Sequence, residues 1–317
     1  MTARPAGVAK LARPVGSRET AAATRHPYGE LGYAQAIADG QGWSAVDVAA
    51  WGTAVNLRPA ALGARDAAGP YPRTPLAPDA DLAEGLAQLG AQGLVSAVLV
   101  PDPLTFAATA RLQPAFEVCR PFKTHLLIDH ARGYAPSKHH RDEIRRGLRR
   151  CRIEIVPLAE RMAEWRTLYA GLVGRREVAG VAAFPDPYFP MLAATPRFVA
   201  LAAFVGDAVA GMTIWFEHAG AAVYHLAAAN ALGYANGAAY ALNDAAIAHF
   251  GGAAVVDLGG GAGLADDRSD GLFRFKQGFA NAETTAWLCG SVLDRAAYAR
   301  LCGARDSRTS FFPAYRG

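Results

Sequence analysis

The chain is poor in the features that mark several protein classes. It has only four cysteines, Cys119, Cys151, Cys289 and Cys302; none forms a CxxC pair, and no histidine sits at zinc-ligand spacing from two of them. A disulfide framework and a structural zinc site are thereby disfavoured, and no metal is expected. The simplest reading is reduced thiols in a cytoplasm. Residues 1–26 carry Arg4, Lys10, Arg13, Arg18 and Arg25 but no apolar core of a secretory leader. The longest apolar stretch, Phe198 to Phe216, is broken by Gly206-Asp207, which signals two strands rather than a membrane span. Neither sign of charge dominates: 32 Lys and Arg face 28 Asp and Glu, for a net +4. This is compatible with an anionic partner without specifying one.

Charged residues make up 19% of the chain and hydrophobic ones 52%, enough to build real cores. A length of 317 residues suggests two domains at about 150 residues each. Residues 1–27, rich in Ala, Pro and Arg, read as a loose arm whose end can pack. A short helix over Tyr33–Ala38 follows. Two strands come next, Trp43–Trp51 and Ala54–Pro59. The segment Gly63–Pro78 is too full of proline to be regular. Asp79–Gln92 has Leu82, Leu86 and Leu89 on one stripe and Gly93 as a stop, which predicts a helix. Leu94–Val100 and Phe122–Asp129 read as strands. A first α/β unit therefore spans 1–135 and a second spans 136–317.

The second unit opens with a basic helix after Pro136-Ser137. Lys138, Arg141, Arg145, Arg146, Arg149, Arg150 and Arg152 face only Asp142 and Glu143. Arg141, Arg145 and Arg149 form one stripe, Ile144 and Leu148 another. The stripe is either a phosphate-facing surface or a solvated face. Then come a short strand, Ile153–Val156, and an amphipathic helix, Leu158–Val173. Three apolar runs, Arg197–Val205, Ala208–Glu217 and Ala221–Ala229, are joined by two-residue turn signals, the mark of antiparallel hairpins. A helix over Ala238–Phe250, a strand over Ala253–Leu258, a helix and strand over Gly271–Phe279 and Glu283–Gly290, and a closing helix over Leu293–Leu301 complete the chain.

The stretch Val255–Phe279 carries the densest chemistry. A buried strand ends in Asp257 and the glycines Gly259, Gly260, Gly261 and Gly263; an acidic loop and the block Phe273-Arg274-Phe275-Lys276 follow. Glycines after a strand allow close backbone approach, and an aromatic beside a lysine offers a stacking face and a movable cation. A tight turn with a core Phe and a solvated Lys is the bland alternative.

The element order matches an N-acetyltransferase (GNAT) domain. The segment DLGGGAGLADDRSDGLFRFKQGF resembles the C-terminal signature of FemABX-like proteins, which contain tandem GNAT domains. The SKHHRDEIRRGLRR helix, the Trp165–Leu192 region and the Asp66–Pro72 segment fit that resemblance, which spans most of the chain. It implies an α/β (α+β) fold of two tandem GNAT-like domains, each a mixed, mostly antiparallel sheet flanked by helices. It also implies an acyltransferase that forms an amide bond, in characterised members an aminoacyltransferase working from aminoacyl-tRNA. The acceptor would be the amine of a peptidoglycan precursor, a peptide or a small metabolite. The gap between splayed strands would open beside Tyr224, His225 and Leu226, with a helix N-terminus near Gly237 facing the donor. Lys276, Asp257 and His225 are then the catalytic candidates. Phe275, Arg274, Gly237, Arg145 and Arg149 are the donor-binding candidates, and Arg176, Tyr188, Tyr224 and Glu217 the acceptor-binding ones.

One motif departs from acetyl-CoA enzymes. Aligning their pyrophosphate loop on Ala238 puts Gly233 at the first position and Asn236 where a glycine is needed. That favours a donor without pyrophosphate. No resident cofactor is expected; the donor is a co-substrate. Aminoacyl-tRNA is the first reading, acyl-CoA or an acyl carrier protein the second, and a non-catalytic tRNA or nucleotide binder the third. The residues are silent on oligomeric state.

Overall fold

A computed structural model of the protein describes residues 25–106, 109–178, 180–195, 197–303 and 311–317. The N-terminal half supplies α1 (Leu31–Asp39), β1 (Ser44–Val48), β2 (Thr53–Pro59), β3 (Arg65–Ala68), α2 (Leu82–Ala91), β4 (Ser96–Leu99) and β5 (Val118–Asp129). Then follow α3 (Lys138–Arg150), β6 (Arg152–Val156), α4 (Met162–Arg176), α5 (Tyr188–Ala194), β7 (Phe198–Val205), β8 (Ala208–His218), β9 (Ala221–Ala229), α6 (Ala231–Asn236), α7 (Ala238–His249), β10 (Val255–Gly259), α8 (Gly271–Gln277), β11 (Ala282–Val292) and α9 (Arg295–Cys302). The eleven strands among the described residues join one sheet in the order β1-β2-β3-β4-β11-β5-β10-β9-β8-β7-β6. Only β3–β4 and β9–β10 pair in parallel; the other neighbours are antiparallel. This is the mixed, mostly antiparallel α/β architecture that the family resemblance implies.

The division at 135/136 falls between β5 and α3, yet β11 crosses back over it. This late strand lies between β4 and β5 and pairs with both. Polar side chains set several helix starts: Asp81 accepts from the Glu84 amide at 3.0 Å, and Asp270 from the Phe273 amide at 2.9 Å. Three apolar cores result. One, around Trp51, Leu57, Leu89 and Leu99, fills the N-terminal half. The other two lie around the meander. Tyr33, Ile37, Trp165, Tyr188 and Phe216 form the first of them; Ile144, Leu242, Val256, Phe273 and Phe279 form the second.

Two local expectations change. Residues 65–68, read as irregular, form β3, because this short strand ends before the first proline, Pro70, and so no ladder donor is lost. The strand begun at Ser44 stops at Val48, and residues 49–51 turn into a 3-10 helix closed by Gly52 in the left-handed region at φ 63°. The end of the N-terminal arm packs, as its residues allow: Arg25 pairs with Asp47 at 2.5 Å, and Pro27 and Tyr28 are buried. Residues 1–24 lie outside the described residues.

Candidate active site at the parting of two strands

Strands β9 and β10 pair for only three residues. The register runs from Val255↔Ala221 to Asp257↔Val223 and stops there. Beyond it β9 continues into Tyr224 and His225, while β10 bulges against β5 between Asp257 and Gly259. The gap expected beside Tyr224 and His225 therefore exists. Tyr224 packs on Trp215 in one core, at a ring-centroid distance of 4.7 Å, whereas His225, the extra residue of a bulge against β8, meets Tyr28 and Tyr188 in the other, so the two belong to different sides of this gap.

On the Tyr224 side sits Lys276, carried by α8. Its side chain is buried. The ammonium donates to the Gly260 carbonyl at 2.8 Å and lies 5.0 Å from the centroid of the Tyr224 ring. Burial lowers its pKa to about 8, although the charge of Asp257 works to raise it. The glycine turn makes this approach possible. Gly259 has φ +74°, and a Cβ there would stand 3.3 Å from the Lys276 nitrogen. The loop is tied down from β5. Lys123 donates to the carbonyls of Gly261, Ala262 and Ala265 at 3.2, 3.1 and 2.8 Å. Asp266 accepts from the amide and hydroxyl of Thr124, both at 2.8 Å.

At the floor of the gap lies a buried charge cluster. Arg73 bridges Asp257 at 2.6 Å and Asp102 at 3.0 Å. His125 approaches Asp257 at 3.1 Å, and the Gly259 amide donates to Asp257 at 2.7 Å. Burial alone would push the Asp257 pKa up, but Arg73 and His125 outweigh it and hold the carboxyl well below the usual carboxylate range. Burial likewise works against the Arg73 charge, and the two aspartates more than restore it. The Arg73 Nε atom is buried with no hydrogen-bond partner among the described residues.

On the His225 side, tyrosines form a directed chain. Tyr33 donates to the Tyr71 carbonyl at 2.8 Å, and Tyr188 donates to the Tyr33 hydroxyl at 2.9 Å. With the Tyr188 proton so committed, the His225 Nε2–H donates to the Tyr188 oxygen at 2.7 Å. His225 Nδ1 then accepts from the Tyr28 hydroxyl, also at 2.7 Å. Burial, aided by Arg73, lowers the His225 pKa to about 3, so the ring is neutral, as this pattern requires. The Tyr28 and Tyr188 hydroxyls are pushed far up by burial.

Five sequence-derived candidates thus meet at the gap: Lys276, Asp257, Tyr224, His225 and Tyr188. The others do not join them. Arg274, Arg145, Arg149, Arg176 and Glu217 are exposed. Phe275 packs with Tyr240 and Phe279, at ring-centroid distances of 5.1 and 5.3 Å, and its carbonyl accepts from His140 at 2.8 Å. Gly237 lies under α3, where a Cβ on Gly147 would come 2.6 Å from the Gly237 carbonyl oxygen. One turn position separates Arg176 from its neighbour Arg175, which donates to the Ala229 carbonyl at 2.7 Å. Arg73, His125, Asp102, Lys123 and Tyr28 were not among the candidates. The only signal for Arg73 is its place in the proline-rich segment Pro70–Pro75, one residue beyond the Asp66–Pro72 piece that bore the family resemblance.

The architecture is a known one. The chain superposes on the C-terminal domain of a putative lysylphosphatidylglycerol synthetase from Agrobacterium fabrum with a TM-score of 0.56 at 14% identity, covering 85% of this chain and 89% of that one. FemX gives a TM-score of 0.56 at 12% identity, with 87% and 95% covered. The L-PGS of Bacillus licheniformis gives 0.54 at 13%, with 84% and 93% covered. These likenesses define the fold. No protein-family model matches the chain, and no curated protein matches it. Among the described residues no helix is long and apolar enough to cross a membrane, and no group of side chains is arranged to hold a metal ion.

Proposed function

We propose that the protein is an acyltransferase that forms an amide bond, moving an aminoacyl group from aminoacyl-tRNA to the amine of a small-molecule or peptide acceptor. The observation that carries this reading is Lys276: a buried ammonium at the parting of β9 and β10, with one hydrogen bond to Gly260 and donor capacity left over. An aminoacyl ester is already activated. What the reaction needs is alignment and a fixed positive charge where the carbonyl oxygen gains its negative charge. The amine nitrogen forms the C–N bond, the ester C–O bond breaks, and the proton lost by the amine leaves with the ribose hydroxyl. Lys276 stabilises the oxyanion. Asp257, bound to Arg73, favours the charged form of Lys276 and fixes the strand end. His225, with both nitrogens held by tyrosines, orients the acceptor side rather than taking the proton.

Two further observations support a donor without pyrophosphate. The α7 N-terminus, where such a group would dock, is covered by α3 at Gly147. The exposed arginines Arg145 and Arg149 lie on α3 itself, where a polyanion can reach them. The acceptor side is built from both halves divided at 135/136: Tyr28, Tyr33 and Tyr71 from one, Tyr188 and His225 from the other.

The test is to incubate the protein with charged tRNA and a panel of amines and to look for amide products by mass spectrometry. Product that disappears on RNase treatment and with Lys276→Met supports the reading. Product from acyl-CoA or an acyl carrier protein that RNase leaves untouched replaces it with a thioester-dependent transferase. Tight tRNA binding without turnover on any amine would make the protein a binder.

A further inference from the structure

Tyr71, Pro72 and Arg73 are consecutive, and they connect two different environments. Arg73 reaches the charge cluster at the floor of the gap; Tyr71 and Pro72 line a cavity of about 120 Å³. Its other walls include Tyr169, Leu172, Phe184, His225 and Leu226. The cavity thus starts within one residue of the group that clamps Asp257.

Apart from the Tyr71 hydroxyl, its described walls offer little that is polar and unengaged. Both nitrogens of His225 are engaged, by Tyr28 and Tyr188. The Tyr169 hydroxyl donates to the Ala182 carbonyl at 3.4 Å and accepts from the Phe184 amide at 2.9 Å. Among the described residues no carboxylate or ammonium lines the cavity, and the His225 ring is neutral. A charged group placed here would lose its hydration without finding a counter-charge, whereas a hydrocarbon group would lose nothing. The volume suits a branched aliphatic or single-ring aromatic side chain.

We infer that this cavity is the subsite that selects the substrate of the transfer by an uncharged hydrocarbon side chain, of isobutyl to benzyl size, and rejects a cationic one. The inference rests on the acyl-transfer reading above and specifies its substrate class. The side chain belongs either to the amine acceptor or to the transferred aminoacyl residue; the chemistry recognised is the same.

Thermal melts of the full chain with 3-methylbutylamine, phenethylamine and 1,5-diaminopentane provide the first arm. The two apolar amines should raise Tm by about 2–4 °C near saturation and the diamine should not. Transfer from leucyl- or phenylalanyl-tRNA against lysyl-tRNA, with one fixed acceptor, provides the second. A preference in the first arm assigns the subsite to the acceptor, and one confined to the second assigns it to the acyl group. Leu172→Phe, which fills the cavity, should weaken the preferred probe at least about tenfold, the loss of one good apolar contact. Leu172→Ala, which enlarges it, should shift preference towards the larger ring. Equal behaviour of apolar and cationic probes in both arms overturns the inference, even if transfer proceeds. Apolar amines that bind while no charged tRNA gives product leave the cavity's selectivity standing and remove the transfer reading instead.

Discussion

The chain carries positive charge in two contrasting ways. Helix α3 displays it openly: Arg145 pairs with Asp142 at 3.0 Å, but the two side chains keep 66% and 56% of their exposure. Arg73 hides it: 3% exposed, between two carboxylates that are themselves buried. An exposed pair in water contributes about 0–1 kcal/mol, and salt screens it. A buried charge is a different object. Its own desolvation is large, and removing one partner strands the others. The first kind of cation is suited to meeting a polyanion that comes and goes. The second fixes geometry and holds its neighbour Asp257 in the charged form.

Breaking the buried side should give the largest effect. Arg73→Met leaves Asp257 and Asp102 without their shared cation and should cost about 3–5 kcal/mol in denaturant unfolding. Adding Asp257→Asn to that variant should restore part of the loss, because one stranded charge is then gone. Lys276→Met comes next. Transfer should fall about 100- to 1000-fold, the usual cost of losing one oxyanion partner, with little change in stability. Its pH dependence has a defined sign: the ammonium is present below a pKa of about 8 and lost above it, so the rate of the wild type should decline as pH rises through 8.

Acid sharpens the comparison on the tyrosine side. His225 has a folded pKa of about 3 against an ordinary 6.5. The unfolded chain takes up a proton below 6.5 that the folded chain refuses until about pH 3. Stability is therefore complete above 6.5 and falls as pH drops through that window, by up to about 1.4 kcal/mol per unit for one such group. His26, also buried and lowered well below its usual value, adds to the same slope. His225→Gln should remove one proton's share of it, measured by Tm between pH 6.5 and 4. The smallest effect on stability belongs to the exposed side. Arg145→Ala with Arg149→Ala should change stability by no more than about 0.5 kcal/mol each. The pair should nevertheless weaken tRNA binding and make it less salt-dependent, by about one unit of slope per lost phosphate contact.

What was legible in the residues was pattern. Apolar runs joined by two-residue turns announced β7, β8 and β9; the arginine density announced α3; glycines after an apolar run announced the turn that brings Lys276 to the gap. Side-chain direction at element ends was not legible. Arg175 and Arg176 are neighbours in the last turn of α4, where a rotation of about 100° per residue sends one to the Ala229 carbonyl and the other to solvent. Phe275 had the right company in sequence, but its ring is claimed by Tyr240 and Phe279. Arg73 illustrates the harder case. A lone arginine among prolines has no period and no cluster, and its partners Asp102 and Asp257 are brought to it only by the assembled sheet.

Strand β5 lies at the centre of that sheet, and both of its neighbours, β10 and β11, are made long after it. During synthesis, then, β5 emerges from the ribosome with two open edges and waits for nearly the whole of the remaining chain. An unpaired edge is a template for the wrong partner, and pairings this distant in sequence close slowly. The sheet can therefore close at its centre only once the last third of the chain is made, and until then β5 is the strand with most to lose from a wrong pairing.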